Sequence, residues 1–294
     1  MKFFKRKYYQ LYLKFLESFS KNDVLFCKTK YYYNNNLPLN LDQPIEFMEK
    51  IQWLKLYYYK EKFGNLVDKY EVRNFVESKI GASYLNPIIG VFNSVEVIDF
   101  KSLPKQFVIK GTHGSGYNII VKDKNSINEK GIKKELYQFL NENYFFRNRE
   151  YIYKEVPPRL IVENYISELD SDELIDYKFY TFHGVPKYVL VKKNENGKSK
   201  KCFYDLNWTK IYPDSISQDF LEEEIAKPEN LDEMITVARK LASDFIFVRV
   251  DLYYVSSKII FGELTFFPTA GMKRFKIEHF NKELGEAIIL PAIA

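Results

Sequence analysis

The chain has 294 residues, 46% of them hydrophobic, with 44 lysines and arginines against 39 acids and a formal net charge of +5. That length buries a substantial core and leaves room for two or three sub-domains, while so mild a basic excess excludes the concentrated cationic patch of a nucleic-acid binder. Cys27 and Cys202 are the only cysteines, and no histidine accompanies them at a metal-ligand spacing, which excludes a zinc module and points to a reducing interior.

Residues 1–20 are basic and aromatic, but Lys2, Lys5, Arg6, Lys7 and Lys14 interrupt every apolar run, so neither a signal-peptide core nor a membrane span fits. The segment reads as a helix packed on its own domain, or as an amphipathic helix resting on a membrane surface. A polar turn at 31–40 leads to a helix with Asp42 as cap and Pro44 in its first turn, its apolar stripe being Phe47, Ile51, Leu54 and Tyr58. A second helix runs over 69–79, opened by Asp68 and stopped by Gly81, and 87–92 is an apolar strand.

A strand at 107–110 enters Gly111-Thr112-His113-Gly114-Ser115-Gly116 and returns as a strand at 118–121. Ile132, Leu136 and Phe139 make a helical stripe, followed by an aromatic and basic segment at 144–153. There Arg147 and Arg149 either bind an anion or are merely solvated. Pro157 and Pro158 mark a linker. Strands follow at 160–166, 177–182, 186–192 and 201–204, separated by an acidic turn at 170–173, by His183-Gly184 and by 194–198. Pro228 introduces a helix with Leu231, Ile235, Ala238 and Leu241 on one face, and a polar helix closes the chain over 278–289. With no regular βαβ series the fold class is α+β. The expected units are a helical segment 1–66, a small sub-domain 67–156 and a C-terminal sub-domain 157–294.

Between 247 and 271, Val248, Val250 and Leu252 alternate with Arg249, Asp251 and Tyr253, and Ile260, Gly262 and Leu264 with Phe261, Glu263 and Thr265. A reversal near Ser257 sets Asp251 opposite Glu263 and Arg249 opposite Thr265. Like charges so opposed destabilise a sheet unless something positive lies between them. A hard divalent cation would serve, and so would partial neutralisation of two solvent-facing acids by the arginine. The glycine turn at 111–116 offers backbone donors for phosphate, with Lys110 as a point charge, but it matches neither phosphate-binding signature in which a helix follows. A plain hairpin turn with a surface lysine has the same pattern. His113 either reaches phosphate or fills the loop, and His183 and His279 read as surface residues. Asp170-Ser171-Asp172 has the D-x-D spacing of some metal-dependent glycosyltransferases, here in an acidic turn with no buried strand before it.

Asp68-Lys69 opening a helix, Lys110 before a glycine loop, Glu163 ending a strand with Asn164-Tyr165-Ile166, and the Asp251/Glu263 hairpin occur in an order that resembles the ATP-grasp superfamily. From about Glu46 to Gly271 the chain looks most like the TupA-like ATP-grasp proteins of bacterial surface-polysaccharide and teichuronopeptide gene clusters. The residues that carry the match are Gln52-Trp53-Leu54-Lys55-Leu56-Tyr57, Val67 to Arg73, Lys110 with Thr112 to Gly116, Asp176-Tyr177-Lys178-Phe179, Phe203-Tyr204-Asp205-Leu206, Val248 to Leu252 and Gly262 to Phe266.

The resemblance implies an ATP-grasp fold in which two antiparallel-sheet sub-domains sandwich a nucleotide, with a short helical N-terminal extension. It implies that Lys69 and Lys110 contact ATP beneath the loop of His113, Gly114, Ser115 and Gly116. Glu163, Asn164, Tyr165 and Ile166 would form the hinge that reads adenine, Asp176 would meet the ribose hydroxyls, and Lys178 belongs to the same motif. Asp251 and Glu263 would carry Mg2+, joined by Thr265 where the superfamily usually has Asn, and Arg249 would steady the transferred phosphoryl group. Residues 268–271 lack some of the glycine associated with the family.

The implied activity is an ATP-dependent carboxylate-amine ligase working through an acyl phosphate, its partners a small-molecule carboxylate (a uronic acid or an amino acid) and an amine, in capsule or other surface-polysaccharide biosynthesis. Its implied place is the cytoplasm or the inner face of the membrane. A small-molecule kinase on the same scaffold and a non-catalytic module for anionic polymers are the alternatives. Many superfamily members carry a larger N-terminal α/β domain that helps bind the acceptor. Only the segment 1–66 stands there in this sequence, so the acceptor site is left unassigned.

Overall fold

Two antiparallel sheets, each on its own apolar core, organise the chain. The structure is a computed structural model and describes residues 2–59, 63–166, 174–195, 197–211 and 219–292. Asp170-Ser171-Asp172 therefore lies outside the described residues.

The first sheet contains β1 (Ile88–Phe92), β2 (Phe107–Gly111), β3 (Asn118–Val121) and β4 (Leu160–Asn164) in the order β1-β4-β2-β3. Period-2 alternation explains its two faces. Phe107, Ile109, Leu160 and Val162 are fully buried in one core with Leu136 and Phe139 of a covering helix, α6 (Glu129–Asn141), whereas Lys110 and Glu163 pair on the opposite face. β4 lies between β1 and β2. The boundary expected at residue 157 thus falls ahead of a strand that completes the first sheet, and the two prolines turn the chain into that strand.

The second sheet contains β5 (Asp176–Phe182), β6 (Val185–Glu195), β7 (Lys198–Asp205), β8 (Lys210–Ile211), β9 (Phe247–Val255) and β10 (Lys258–Thr265), in the order β10-β9-β5-β6-β7-β8. Its tight reversals use left-handed backbone at His183-Gly184 (φ 48° and 78°) and Ser256-Ser257 (φ 50° and 59°), the conformation whose twist suits a two-residue hairpin. α8 (Leu231–Ala242) lays Leu231, Met234, Val237, Ala238 and Leu241 on β5, β6 and β9.

The other helices are α1 (Lys2–Phe19), α2 (Asp23–Asn35), α3 (Phe47–Trp53), α4 (Gly64–Val67), α5 (Val72–Ile80), α7 (Phe145–Asn148) and α9 (Glu278–Glu286). α3 starts later than Asp42 and Pro44 suggest, because the Glu49 carboxylate accepts from the Ile45 and Glu46 amides at 2.9 and 3.0 Å and so satisfies the helix start. It continues as a π-helical turn, Leu54–Tyr58, closed by the Tyr59 amide donating to the Leu54 carbonyl at 2.7 Å. α5 likewise starts after Lys69, since Asp68 accepts from the amides of Tyr70 and Glu71 in a turn ahead of the helix. Among the described residues no helix is long and apolar enough to cross a membrane.

Candidate active site

The two sheets enclose a cleft of about 480 Å³, with Lys69, Arg73, Lys110, Ser115, Gly116 and Glu163 on one side and Asp176, Lys178, Arg249, Asp251 and Glu263 on the other. Strand register produces the second wall. Asp251 stands opposite Glu263 and Arg249 opposite Thr265, while Lys178 of β5 neighbours Asp251.

The hairpin differs from strict alternation in one respect. A bulge at Gly262 sets Ile260 opposite Tyr253 but Leu264 opposite Val250, so Ile260 and Leu264 fall on opposite faces. Glycine favours the bulge, because a Cβ would sit 3.1 Å from the Asp251 carbonyl oxygen, a tighter contact than side chains ordinarily make. Without the bulge Glu263 would turn into the core.

A guanidinium lies between the two acids. Arg249 donates from Nε and Nη2 to the two Asp251 oxygens, at 2.6 Å each, and from Nη2 to Glu263 at 3.2 Å and to the Thr265 hydroxyl at 2.9 Å. Lys178 Nζ reaches Asp251 at 2.6 Å. Burial pushes the Asp251 carboxyl up, but Arg249 and Lys178 outweigh it and hold it below the usual carboxylate value. The Thr265 hydroxyl donates to Glu263 at 2.7 Å, so two carboxylates and a hydroxyl are gathered on one strand pair. That hard-oxygen set suits Mg2+, which takes one or two carboxylates and completes its shell with water and phosphate oxygens. Among the described residues no cluster of three or more His, Cys, Asp or Glu side chains forms a fuller cage.

Across the cleft, the Lys69 ammonium donates to the carbonyl of Gly111, at 3.1 Å, and to that of Gly114, bracing the glycine loop from below. Burial draws its pKa down to about 8. Asp68 anchors this arrangement, accepting from Thr112 at 3.2 Å and from Arg159 at 2.8 Å. Gly114 is needed for packing, since a Cβ there would stand 2.5 Å from the Tyr117 ring, and Gly116 takes φ 83°. Ser115 and Gly116 face the cleft. His113 does not: it is buried, with Nε2 2.8 Å from the Phe139 carbonyl oxygen and its ring against Tyr117. Its expected place among the ligand-binding residues is therefore corrected to a packing role, because the apolar core beneath β2 and β3 claims the side chain.

Lys110 and Glu163 form a 2.6 Å ion pair inside the cleft, with Arg73 3.7 Å from the same carboxylate. Of the hinge residues, Ile166 lines the cleft. Asn164 closes β4, its amide donating to the Pro87 carbonyl and its carbonyl accepting from Asn86. Asp176 lies 3.4 Å from Lys178 and 3.8 Å from Lys192.

Several residues that shape the site have a role that the sequence does not state. Gln52 and Lys55 are completely buried, and both donate to the Ala270 carbonyl, at 3.1 and 3.0 Å. Lys55 also reaches the Asn148 carbonyl at 2.9 Å. These bonds hold Thr269, Ala270 and Gly271 in successive left-handed conformations (φ 51°, 55° and 67°), so the turn forms without the missing glycines. Non-glycine residues so placed are strained and persist only where their surroundings enforce them. Arg147 and Arg149 serve structure as well. Arg149 is 2% exposed, binds the Leu16, Glu17 and Ser20 carbonyls at the end of α1, and lies 3.1 Å from Asp23. Arg147 pairs with Glu142 and covers the Tyr117 and Tyr144 rings.

A cleft between two antiparallel sheets, with lysines and a glycine loop facing an acidic hairpin, defines a nucleotide-grasping class of protein. The chain belongs to the TupA-like ATPgrasp family, which it matches over residues 49–289. Similar solved structures include a D-alanine–D-alanine ligase from Bacillus anthracis complexed with ATP, at 16% identity over 76% of this chain and 64% of that one, TM-score 0.45. Another is an N5-carboxyaminoimidazole ribonucleotide synthetase from Thermus thermophilus, at 9% identity over 68% and 45% of the two chains, TM-score 0.37. The chain thus spans less than two thirds of the length of either. A search of curated proteins gives no match.

Proposed function

We propose that this protein is an ATP- and magnesium-dependent ligase that joins a small-molecule carboxylate to an amine through an acyl phosphate. The observation that carries this is the opposition, across one cleft, of Lys69, Lys110 and the glycine loop to Arg249, Asp251, Glu263 and Thr265. Phosphoryl transfer asks chiefly for positioning and for positive groups around the moving charge.

In this reading Lys69, Lys110 and the amides of Ser115 and Gly116 bind the phosphates, and Asp176 takes the ribose. Since Asn164 is engaged within the protein at both backbone groups, adenine falls to Tyr165 and Ile166. Asp251, Glu263 and Thr265 would hold magnesium, which would supply positive charge against the phosphate oxygens. Arg249 steadies the phosphoryl group as it moves to the carboxylate. The uronic acid or amino acid of a bacterial surface-polysaccharide precursor is the proposed acceptor class.

The test is ADP release with Mg·ATP against uronic acids, amino acids and amines, singly and in pairs, with Asp251→Asn as control. Turnover that needs a pair and disappears in the variant supports the ligase. Turnover with one acceptor and a phosphorylated product makes the protein a kinase, and absence of Mg·ATP binding refutes both.

We also propose that α1 rests on an anionic membrane surface. Tyr8, Leu11, Phe15 and Phe19 are 63%, 63%, 56% and 76% exposed, and their spacing makes one helical stripe. Lys7 and Lys14 are exposed beside it, a cationic flank that complements anionic lipid headgroups.

A further inference from the structure

A second pocket, of about 300 Å³, opens beside the cleft and shares Ser115, Arg249 and Glu263 with it. A molecule in this pocket would therefore sit next to the groups assigned to phosphoryl transfer. Its other walls include Tyr144, Asn148, Glu150, Tyr153 and Thr269. Acids and neutral hydrogen-bonding groups dominate the lining. The one guanidinium, Arg249, is already held by Asp251, Glu263 and Thr265. Lys55 lies behind the wall, 0% exposed, with its ammonium on the Asn148 and Ala270 carbonyls. Tyr144 and Tyr153 each feel the charge of both Glu150 and Glu263, so the two carboxylates act on the same space.

Such a lining repels a carboxylate and attracts an ammonium, which needs acceptors for three protons when it leaves water. The volume lies at the small end of ligand pockets, enough for one sugar ring or one amino acid.

We propose that this pocket binds the amine co-substrate, with the ammonium on the Glu150 carboxylate and a polar body of monosaccharide or amino-acid size among the tyrosines. The assignment rests on the ligase reading. In the coupling step the ammonium gives one proton to Glu150, and the freed amine attacks the acyl carbon. The C–N bond forms and the C–O bond to phosphate breaks. The second nitrogen proton leaves with the phosphate as HPO4 2−. Burial raises the Glu150 carboxyl to about 7, against the pull of Lys55, the Asn148 side chain and Lys30, so it takes up a proton near neutral pH.

The test is ligand binding to the full chain, read by saturation-transfer NMR and calorimetry. The probes are D-glucosamine and L-serinamide, their N-acetyl derivatives, and D-glucuronate; Mg·ATP is titrated separately. The free amines are expected to bind at least about tenfold more tightly than the acetylated forms, the size of one charge-assisted contact. Glu150→Gln is expected to erase that difference while leaving Mg·ATP affinity unchanged. Tyr153→Phe, which removes one hydroxyl, serves if the first variant does not fold and is expected to weaken the amines alone. Equal binding of amines and N-acetyl derivatives, occupation by glucuronate, or amine affinity indifferent to both variants overturns the proposal. A wild type that shows the amine preference but binds no Mg·ATP leaves the amine site standing and removes the ligase reading.

Discussion

Arg249 grips Asp251 two residues along the same strand as a fork, Nε and Nη2 each 2.6 Å from a carboxylate oxygen. Asp251→Asn would leave Arg249 and Lys178 buried with less counter-charge, a loss expected to cost about 3 kcal/mol. The folded-state pKa of Asp251 lies below its ordinary 3.8. Its contribution is therefore complete above the unfolded value and disappears as pH falls through the folded one. Urea midpoints of wild type and variant should differ fully at neutral pH and converge in acid. A gap unchanged down to acid pH would show that the ion pair does not stabilise the fold.

Lys69 has the opposite linkage. Its pKa is drawn from 10.5 to about 8 by burial, so the cost of holding its charge in the fold is complete below the folded value and is relieved as pH rises from there towards the unfolded one. Ligand binding moves the other way, because an anionic phosphate needs the charged lysine. Affinity for Mg·ATP should weaken as pH rises past 8, and Lys69→Arg should remove that limb, since a guanidinium stays charged. Calorimetric titration across this range decides it; identical profiles for both proteins would place Lys69 outside the phosphate site.

Local patterns made the elements legible, and long-range contacts hid most of what shapes the site. Alternation gave the 247–265 hairpin and its opposed acids, but the turn itself pairs Val255 with Lys258, and the bulge between Phe261 and Glu263 is what brings Glu263 opposite Asp251. The bulge at Gly262 was not legible, because a glycine in a strand marks a bulge, a bend or a close approach equally well. His113 misled because a loop residue beside glycines resembles a phosphate ligand until the core beneath it is known. Gln52 and Lys55 belonged to a recognised motif yet had no role until Ala270, more than 200 residues later, was seen to share both. Glu150 stood in an aromatic and basic segment beside two arginines, and only folding turned Arg149 inward and tied the exposed Arg147 to Glu142.

Gly271 sits at φ 67°, and a Cβ there would approach the Gln52 amide nitrogen and Ile51 Cγ2 to 3.1 Å. Gly271→Ala is expected to destabilise the protein by about 1–2 kcal/mol and to loosen the wall of the second pocket. Hydrogen exchange at the Ala270 and Met272 amides, which donate to Phe267 and Thr269, should accelerate with it. Unchanged protection would mean that the Gln52 and Lys55 contacts do not enforce the turn.

Arg149 is a clasp between the end of α1 and the start of α2. Arg149→Met should cost about 3 kcal/mol through the carbonyls and the Asp23 charge it leaves behind, with Mg·ATP affinity unaltered. If the variant instead kept its stability and lost affinity for anionic ligands, Arg149 would be a binding residue after all.

The stripe on α1 makes the remaining prediction, independent of the chemistry in the cleft. Phe15 and Phe19 pack on each other, 5.4 Å between ring centroids, while Leu16, roughly a quarter-turn round the helix from the stripe, is 2% exposed and fixes the helix to the body. The exposed residues can therefore change without disturbing the fold, and Leu11→Ser with Phe15→Ser should shift stability by less than about 0.5 kcal/mol. Sedimentation with vesicles of phosphatidylglycerol and phosphatidylcholine should carry wild type down, less in high salt and less with phosphatidylcholine alone. The double variant should bind at least about tenfold more weakly, given ~1.5–3 kcal/mol per buried apolar side chain. Equal recovery of wild type and variant would rule out the membrane surface, and a wild-type dimer that the variant abolishes would make a second copy of the chain the true occupant of the stripe.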